Sequence, residues 1–546
     1  MRGIPMLLLV LFTALTAGAQ HQTTFTRQDT LRGTITRERA WWDVKSYDLR
    51  VKPNLSDSTL AGSNTITYKV LKVDSVMQID LQEPLAVDSV TQDKQSVPYK
   101  REGNVIFIDL VAKKQVKGKL KKITIAYHGK PRIAKNAPWD GGLIWKRDDQ
   151  NRPWIATACQ GLGASVWWPN KDHQSDEPDN MTISITTPPD LVDVSNGRLK
   201  KKAVDKDGNI VWTWYVANPI NNYDVAMNIG HYSEFKDTYS GEGGKLDLSY
   251  WVLDYNVDTA RTHFTVVKEM MKCFESWFGK YPFYKDSYKL VESPHLGMEH
   301  QSAVAYGNKF QMGYKGTDLS GSGWGLKWDF IIVHESGHEW FGNNITTKDI
   351  ADMWVHESFT NYSETLFTEC QYGPEAAFAY ITGIRKNIRN DIPIIGNYGV
   401  NNEGSGDMYY KGANMIHTIR QIVNNDYVFR DILRGLNKTF WHQTVTTRQV
   451  EEFFNQKTNM NFNKVFEQYL TRTSIPTLEY HFEGSQLKFR WVTDVENFNM
   501  PVKVTLTDNG YSFIYPGRNW QSTGFTLSDI KKFKVDPNFY INVKEI

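Results

Sequence analysis

His334 and His338 stand four residues apart with Glu335 beside the first, and Glu357 follows the second after an interval of eighteen residues. On an α-helix the two imidazoles project from one face, one turn above the other, so both reach a single ion. Glu335 lies one step round, where it faces a water held at that ion. A catalytic zinc centre needs three protein ligands and an open fourth position, and a carboxylate from a neighbouring helix completes the three without filling the fourth. Glu357, inside a helical stretch from Met353 to Tyr372, suits that role. The pattern points to metal-assisted hydrolysis. Glu364, seven residues further on the same helical face, is either an acceptor for a ligating imidazole or a solvated carboxylate.

A chain of 546 residues is too long for one core and should divide into about three domains. Its net charge of +2 with no long basic run gives no footprint for nucleic acid. Arg2, the apolar run Met6 to Leu15 and the small residues Ala17-Gly18-Ala19 read as a secretory signal, residues 1–19, with the mature chain starting at Gln20. An exported protein, periplasmic or secreted, is expected. No later segment is long and apolar enough for a transmembrane helix. Cys159, Cys273 and Cys370 are widely spaced and cannot all pair, and they read as small buried hydrophobes.

From Trp41 to about Phe235 the pattern is β. Ser46–Val51, Asn64–Val70, Val105–Leu110, Lys122–Tyr127 and Ile210–Val216 are short runs rich in branched and aromatic residues, and Asp207-Gly208 marks a hairpin. The period then changes. Val267, Met270, Met271, Phe274, Trp277 and Phe278 form a helical stripe stopped by Gly279 and Pro282. A strand is expected over Ser287–Glu292, the histidine helix over about Trp328–Phe341, and mostly helix to Leu470. After Pro476, strands are expected over Phe482–Val492, Val502–Thr507 and Phe533–Val543.

Four ordered motifs carry a resemblance. His334-Glu335-Ser336-Gly337-His338-Glu339-Trp340-Phe341-Gly342-Asn343 with Asp352-Met353-Trp354-Val355-His356-Glu357 is similar to the signature of the aminopeptidase N and leukotriene A4 hydrolase family of zinc metallopeptidases. Gly297-Met298-Glu299-His300 stands where that family has its exopeptidase motif, and Tyr409-Tyr410-Lys411-Gly412-Ala413 resembles its tyrosine element. Cys159-Gln160-Gly161, with Trp168-Pro169 and Asp172, resembles the segment that lends an amide or carboxylate to the amine pocket. The resemblance implies a multidomain α+β fold: a saddle-like β-rich domain over residues 20–240, a thermolysin-like, mainly helical catalytic domain over 241–474 and a short β-sandwich over 475–546.

It also implies roles. One zinc ion per chain would be held by His334, His338 and Glu357. Glu335 would be the general base, and Tyr409 the donor to the oxyanion. Glu299 and Gln160, with Gly297, Met298 and His300, would receive a peptide with a free N-terminal amine. Tyr410 is assigned to packing.

Two positions depart from the family pattern: His300 and His356 stand where an asparagine is usual. Each is either a neutral ring making the amide's hydrogen bond or a group that alters the subsite or responds to pH between about 5 and 8. The rival readings are a zinc endopeptidase or non-peptide hydrolase on the same fold, and an inactive binding protein. Only about 70 residues follow Pro476, too few for a helical cap beside a sandwich, so the cleft is expected to be open or covered by a partner subunit.

Overall fold

The computed structural model describes residues 24–546, and the expected signal, residues 1–19, lies outside them. The first large unit is an eight-stranded sheet. Its centre is the long hairpin of Trp42–Asn54 and Thr59–Val70, whose alternating buried and exposed positions put Val44, Leu49, Ile66 and Tyr68 inside. Trp42–Asn54 also pairs in parallel with Asn180–Thr187, Ser46 opposite Asn180. A four-stranded sheet packs nearby, and its strand Pro153–Ala158 delivers the chain into the turn that carries Gln160.

A five-stranded sheet opens the second unit. Its first two strands are the hairpin Tyr232–Gly241 and Gly244–Leu253, so a boundary between 240 and 241 would cut through the hairpin, and this unit starts near Tyr232. The apolar stripe forms the helix Val266–Phe278, which ends at Gly279 with φ of 92°. Tyr288–Glu292 lies in the interior of the sheet, and the short strand Gly297–Met298 forms its edge. The histidine helix is Phe330–Gly337, shorter than the sequence suggests. Asp329 caps it, accepting from the backbone N–H groups of Ile331 and Ile332, and is itself held by Tyr306, His263 and Asn308. The next long helix, Trp354–Tyr372, is buried over most of its length.

Two of the three cysteines are paired and do not stand as lone buried hydrophobes. Cys273 and Cys370 form a disulfide, with Cα atoms 6.1 Å apart, and only Cys159 is free and buried. The helices Val266–Phe278 and Trp354–Tyr372 run side by side, and this brings together two residues 97 positions apart in sequence.

The C-terminal segment holds a four-stranded sheet and a two-stranded ribbon. The expected strand Phe482–Val492 is split between Thr477–Glu483 and Gln486–Val492, because Gly484 turns the chain with φ of 58°. Phe533–Val543 is mostly irregular, touching the ribbon through a bridge of Val535 to Val504, and the final strand is Asn542–Glu545. Among the described residues no helix is long and apolar enough to cross a membrane.

Candidate active site

The two large units meet at a cleft of ≈ 510 Å³. The histidine helix and the helix Trp354–Tyr372 form its floor, and the Gln160 turn, the strand Gly297–Met298 and a loop ending at Tyr409 form its walls.

His334, His338 and Glu357 are brought together, their ligand atoms within 4.8 Å of one another. His334 Nε2 and His338 Nε2 face Glu357 Oε2 at 3.8 and 3.4 Å. The other ring nitrogens are occupied. His334 Nδ1 donates to Glu364 Oε1 at 2.7 Å, and His338 Nδ1 donates to the Phe341 carbonyl at 3.0 Å. Both tautomers are thereby set so that Nε2 carries a lone pair into the shared space. Glu357 Oε2 is buried without a hydrogen-bond partner among the described residues. Burial opposes a charge on His338, yet Glu357 and Glu299 push its pKa up to about 10, and burial opposes a charge on Glu357 too, yet the His338 and His334 rings hold it down at about 2. The spot selects positive charge. Three converging donors, one of them an orphaned carboxylate oxygen, fit a zinc ion.

Glu364 is wholly buried and fully engaged, since Asn361 Nδ2 and the Tyr380 hydroxyl also donate to it, at 2.8 and 2.5 Å. Glu335 sits between the histidines and Gly297. Burial raises its carboxyl to about 7. Gly297 is required there: a Cβ on it would stand 2.6 Å from Glu335 Oε1 and 2.9 Å from Ile331 Cγ2.

Gln160 and Glu299, expected from the sequence to receive an amine, join the metal cluster directly. Gln160 Nε2 donates to Glu299 Oε1 at 2.7 Å and to Glu357 Oε1 at 3.0 Å. Tyr223 adds its hydroxyl to Glu299 Oε1 at 3.1 Å, and Asn343 Nδ2 holds the Glu299 carbonyl at 2.8 Å. Burial raises the Glu299 carboxyl despite the pull of His338. Met298 lines the cleft beside it.

Tyr409 stacks on the His334 ring at 6.0 Å, and burial together with Glu357 and Glu403 keeps its hydroxyl protonated. Tyr410, expected only to pack, lines the cleft too.

His300 does not line the cleft. It is wholly buried behind Glu299 with neither ring nitrogen bonded among the described residues, and burial lowers it to about 3. His356 accepts the Thr347 N–H through Nε2 at 2.9 Å and is lowered by burial to about 3. Both rings are neutral between pH 5 and 8. Asn361, Tyr380, Tyr223 and Asn343 escaped the sequence reading because nothing in their local spacing marks them.

A helix bearing two histidines, a carboxylate from the following helix and a β-rich domain forming the opposite wall together define the HExxH class of metal-site folds. The chain belongs to peptidase family M1: the Peptidase family M1 domain model matches residues 262–469 and the Peptidase M1 N-terminal domain model matches residues 44–223.

It is 22% identical over 475 residues to Probable aminopeptidase 2 of Sulfurisphaera tokodaii, covering 83% of this chain and 58% of that protein. It is 23% identical over 469 residues to Aminopeptidase N of Lactobacillus helveticus, covering 79% and 51%. The chain thus spans little more than half the length of these curated relatives. Among solved structures, a mutant M1 zinc metallopeptidase from Deinococcus radiodurans bound to a Tyr-Ser-Ala substrate superposes with a TM-score of 0.67 at 18% identity, covering 82% of this chain and 98% of that one. A two-domain M1 zinc metallopeptidase mutant bound to L-tryptophan gives 0.66 at 19%, covering 80% and 96%.

Proposed function

We propose that this protein is a zinc aminopeptidase that removes the N-terminal residue from peptides. The observation that carries the reading is Gln160 Nε2, bonded at once to Glu299 Oε1 and Glu357 Oε1. The reading is supported by a buried carboxylate linked through one amide to the metal cluster, since such a group is costly unless a cation arrives to pair with it.

His334 Nε2, His338 Nε2 and Glu357 Oε2 would hold the zinc ion, which supplies Lewis acidity toward the scissile carbonyl and toward water. Glu299 takes the substrate ammonium, with Gln160 fixing the carboxylate's orientation. Both of its side-chain bonds fall on Oε1, which leaves Oε2 for the amine. Glu335 accepts a proton from the attacking water and returns it to the leaving amine. Tyr409, kept protonated, donates its hydroxyl hydrogen to the oxyanion, a bond that strengthens as charge develops.

The protein is also read as exported. The Cys273–Cys370 disulfide supports this, because such bonds persist in oxidising compartments.

Rates on an aminoacyl anilide and on its N-acetylated form test the function. The free amine should be required. Equal rates on the two would replace this reading with an endopeptidase or non-peptide hydrolase.

A further inference from the structure

The wall of the cleft above Gln160 carries a second carboxylate, Glu403. Its loop is fastened at several points. The Tyr398 hydroxyl donates to Asp352 Oδ1 at 2.6 Å, Gly399 N to Asp349 Oδ2 at 2.9 Å and Ser405 N to the Pro393 carbonyl at 2.9 Å. Asn401 Nδ2 donates to the Gly161 carbonyl at 3.1 Å, tying the loop to the Gln160 turn. The N-terminal helix Arg27–Gly33 braces the outer side: Thr34 Oγ1 donates to the Gly399 carbonyl at 2.6 Å, and Gly33 lies so close that a Cβ there would meet Asn401 N at 2.1 Å. The backbone bearing Glu403 is held firmly against the amine pocket.

The Glu403 residue lines the cleft, its carboxyl raised by partial enclosure and by the Glu357 charge, and no described residue forms a hydrogen bond or ion pair with it. Arg389, the guanidinium on the same cleft, leans on Asp391 at 3.7 Å instead. Glu299 and Glu403 thus stand on the Gln160 side of the metal cluster, one engaged by Gln160 and Tyr223 and the other unpaired. With the ammonium at Gln160 and Glu299, the wall that carries Glu403, tied to the Gln160 turn through Asn401 and Gly161, is one that a first-residue side chain could run along. An unpaired carboxylate in a confined cleft gains most from a cationic group and little from an apolar one.

Resting on the aminopeptidase reading, we propose that Glu403 selects substrates whose N-terminal residue has a cationic side chain, arginine or lysine.

Wild type and Glu403→Gln are compared on arginyl, lysyl, leucyl and methionyl anilides. In the variant the ratio of kcat/KM for arginyl over leucyl should fall about ten- to hundredfold, the range of one charge-assisted contact. Glu403→Lys should move the preference to aspartyl and glutamyl anilides. Calorimetry with free L-arginine and L-norleucine gives a readout without turnover, and the arginine affinity relative to norleucine should fall at least about tenfold in Glu403→Gln. A ratio within about twofold of wild type in both measurements overturns the proposal. So does an effect confined to the second residue of Ala-Xaa dipeptides, which would put Glu403 beyond the scissile bond. If wild type cleaves no anilide while arginine binding still depends on Glu403, the aminopeptidase reading fails and the cation site stands. Cleavage of all anilides with flat ratios has the opposite meaning.

Discussion

Gln160 of the β-rich unit donates one amide hydrogen-bonding group to Glu299 of the helical unit, at 2.7 Å, and the same nitrogen reaches Glu357 at 3.0 Å. The proposed amine pocket therefore depends on the two units staying docked, and its geometry is coupled to Glu357 of the metal cluster. Replacing Glu299 with Gln keeps the shape and removes the charge. We expect kcat/KM on free-amine substrates to drop about 100-fold, the scale of a buried charge contact, with the slow N-acetylated substrate little affected. An equal loss on both substrates would deny Glu299 a role in amine recognition.

Glu364 orients His334 and is held in turn by Asn361 and Tyr380. Removing such a partner of a ligating imidazole typically weakens metal binding about 10–100-fold. Glu364→Ala should show that loss when zinc is titrated against a competing chelator. Chelator should abolish activity in the wild type and added zinc restore it. An unchanged zinc affinity in the variant would show that the His334–Glu364 bond is incidental.

The metal cluster was legible in sequence because its ligands lie within a few helical turns, where spacing fixes direction. Glu357 needed only the assumption that the next helix packs on the first. Tyr380, sixteen residues beyond Glu364, and Tyr223, in another unit, reach the site through tertiary packing that no local period encodes. The disulfide was missed for the same reason: two apolar-looking cysteines on separate helices pair only once the helices align. In the C-terminal sheets the hydrophobic runs were visible, but Gly484 divides one and the other turns at Asp536, where pairing gives way to side-chain caps. A histidine in place of an amide is titratable by residue type alone, and at His300 and His356 burial, which sequence spacing does not report, lowers both rings to about 3.

Gly297 lets the Glu335 carboxylate approach to a place that a methyl group would occupy, at 2.6 Å. Gly297→Ala should displace the base while leaving the ligands in place. kcat is expected to fall about 10–100-fold with full zinc content and an unchanged far-UV spectrum, since small misplacements of a reacting group carry costs of that order. Full activity in the variant would mean that the base does not work from this position.

Cys273–Cys370 closes a loop of 97 residues across two packed helices. Chain-entropy arguments give about 4–5 kcal/mol for a loop of that size, an upper figure because the reduced unfolded state keeps some structure. Cys273→Ser should lower the unfolding midpoint by several degrees, and dithiothreitol should do the same to wild type but not to the variant. Titration of the denatured, unreduced protein should count one thiol. Three would remove the disulfide and with it the support for an oxidising compartment.

Lys289 is 2% exposed, its ammonium donating to the Gly197 carbonyl and lying 5.6 Å from the Trp214 ring. Burial lowers its pKa from 10.5 to about 7, against the opposing pull of Asp286 and Glu339. Between these two values the unfolded chain binds a proton at this position that the folded chain does not. Stability contributed through Lys289 therefore rises with pH from about 7 toward 10, and below 7 the folded state carries a buried charge at its full cost. Lys289→Met removes the titration while keeping much of the side chain's volume. The difference in unfolding free energy between wild type and this variant should shift in favour of wild type as pH rises over that window. A difference constant from pH 7 to 10 would show that Lys289 stays protonated in the fold, compensated by Asp286 and Glu339 more completely than its burial implies.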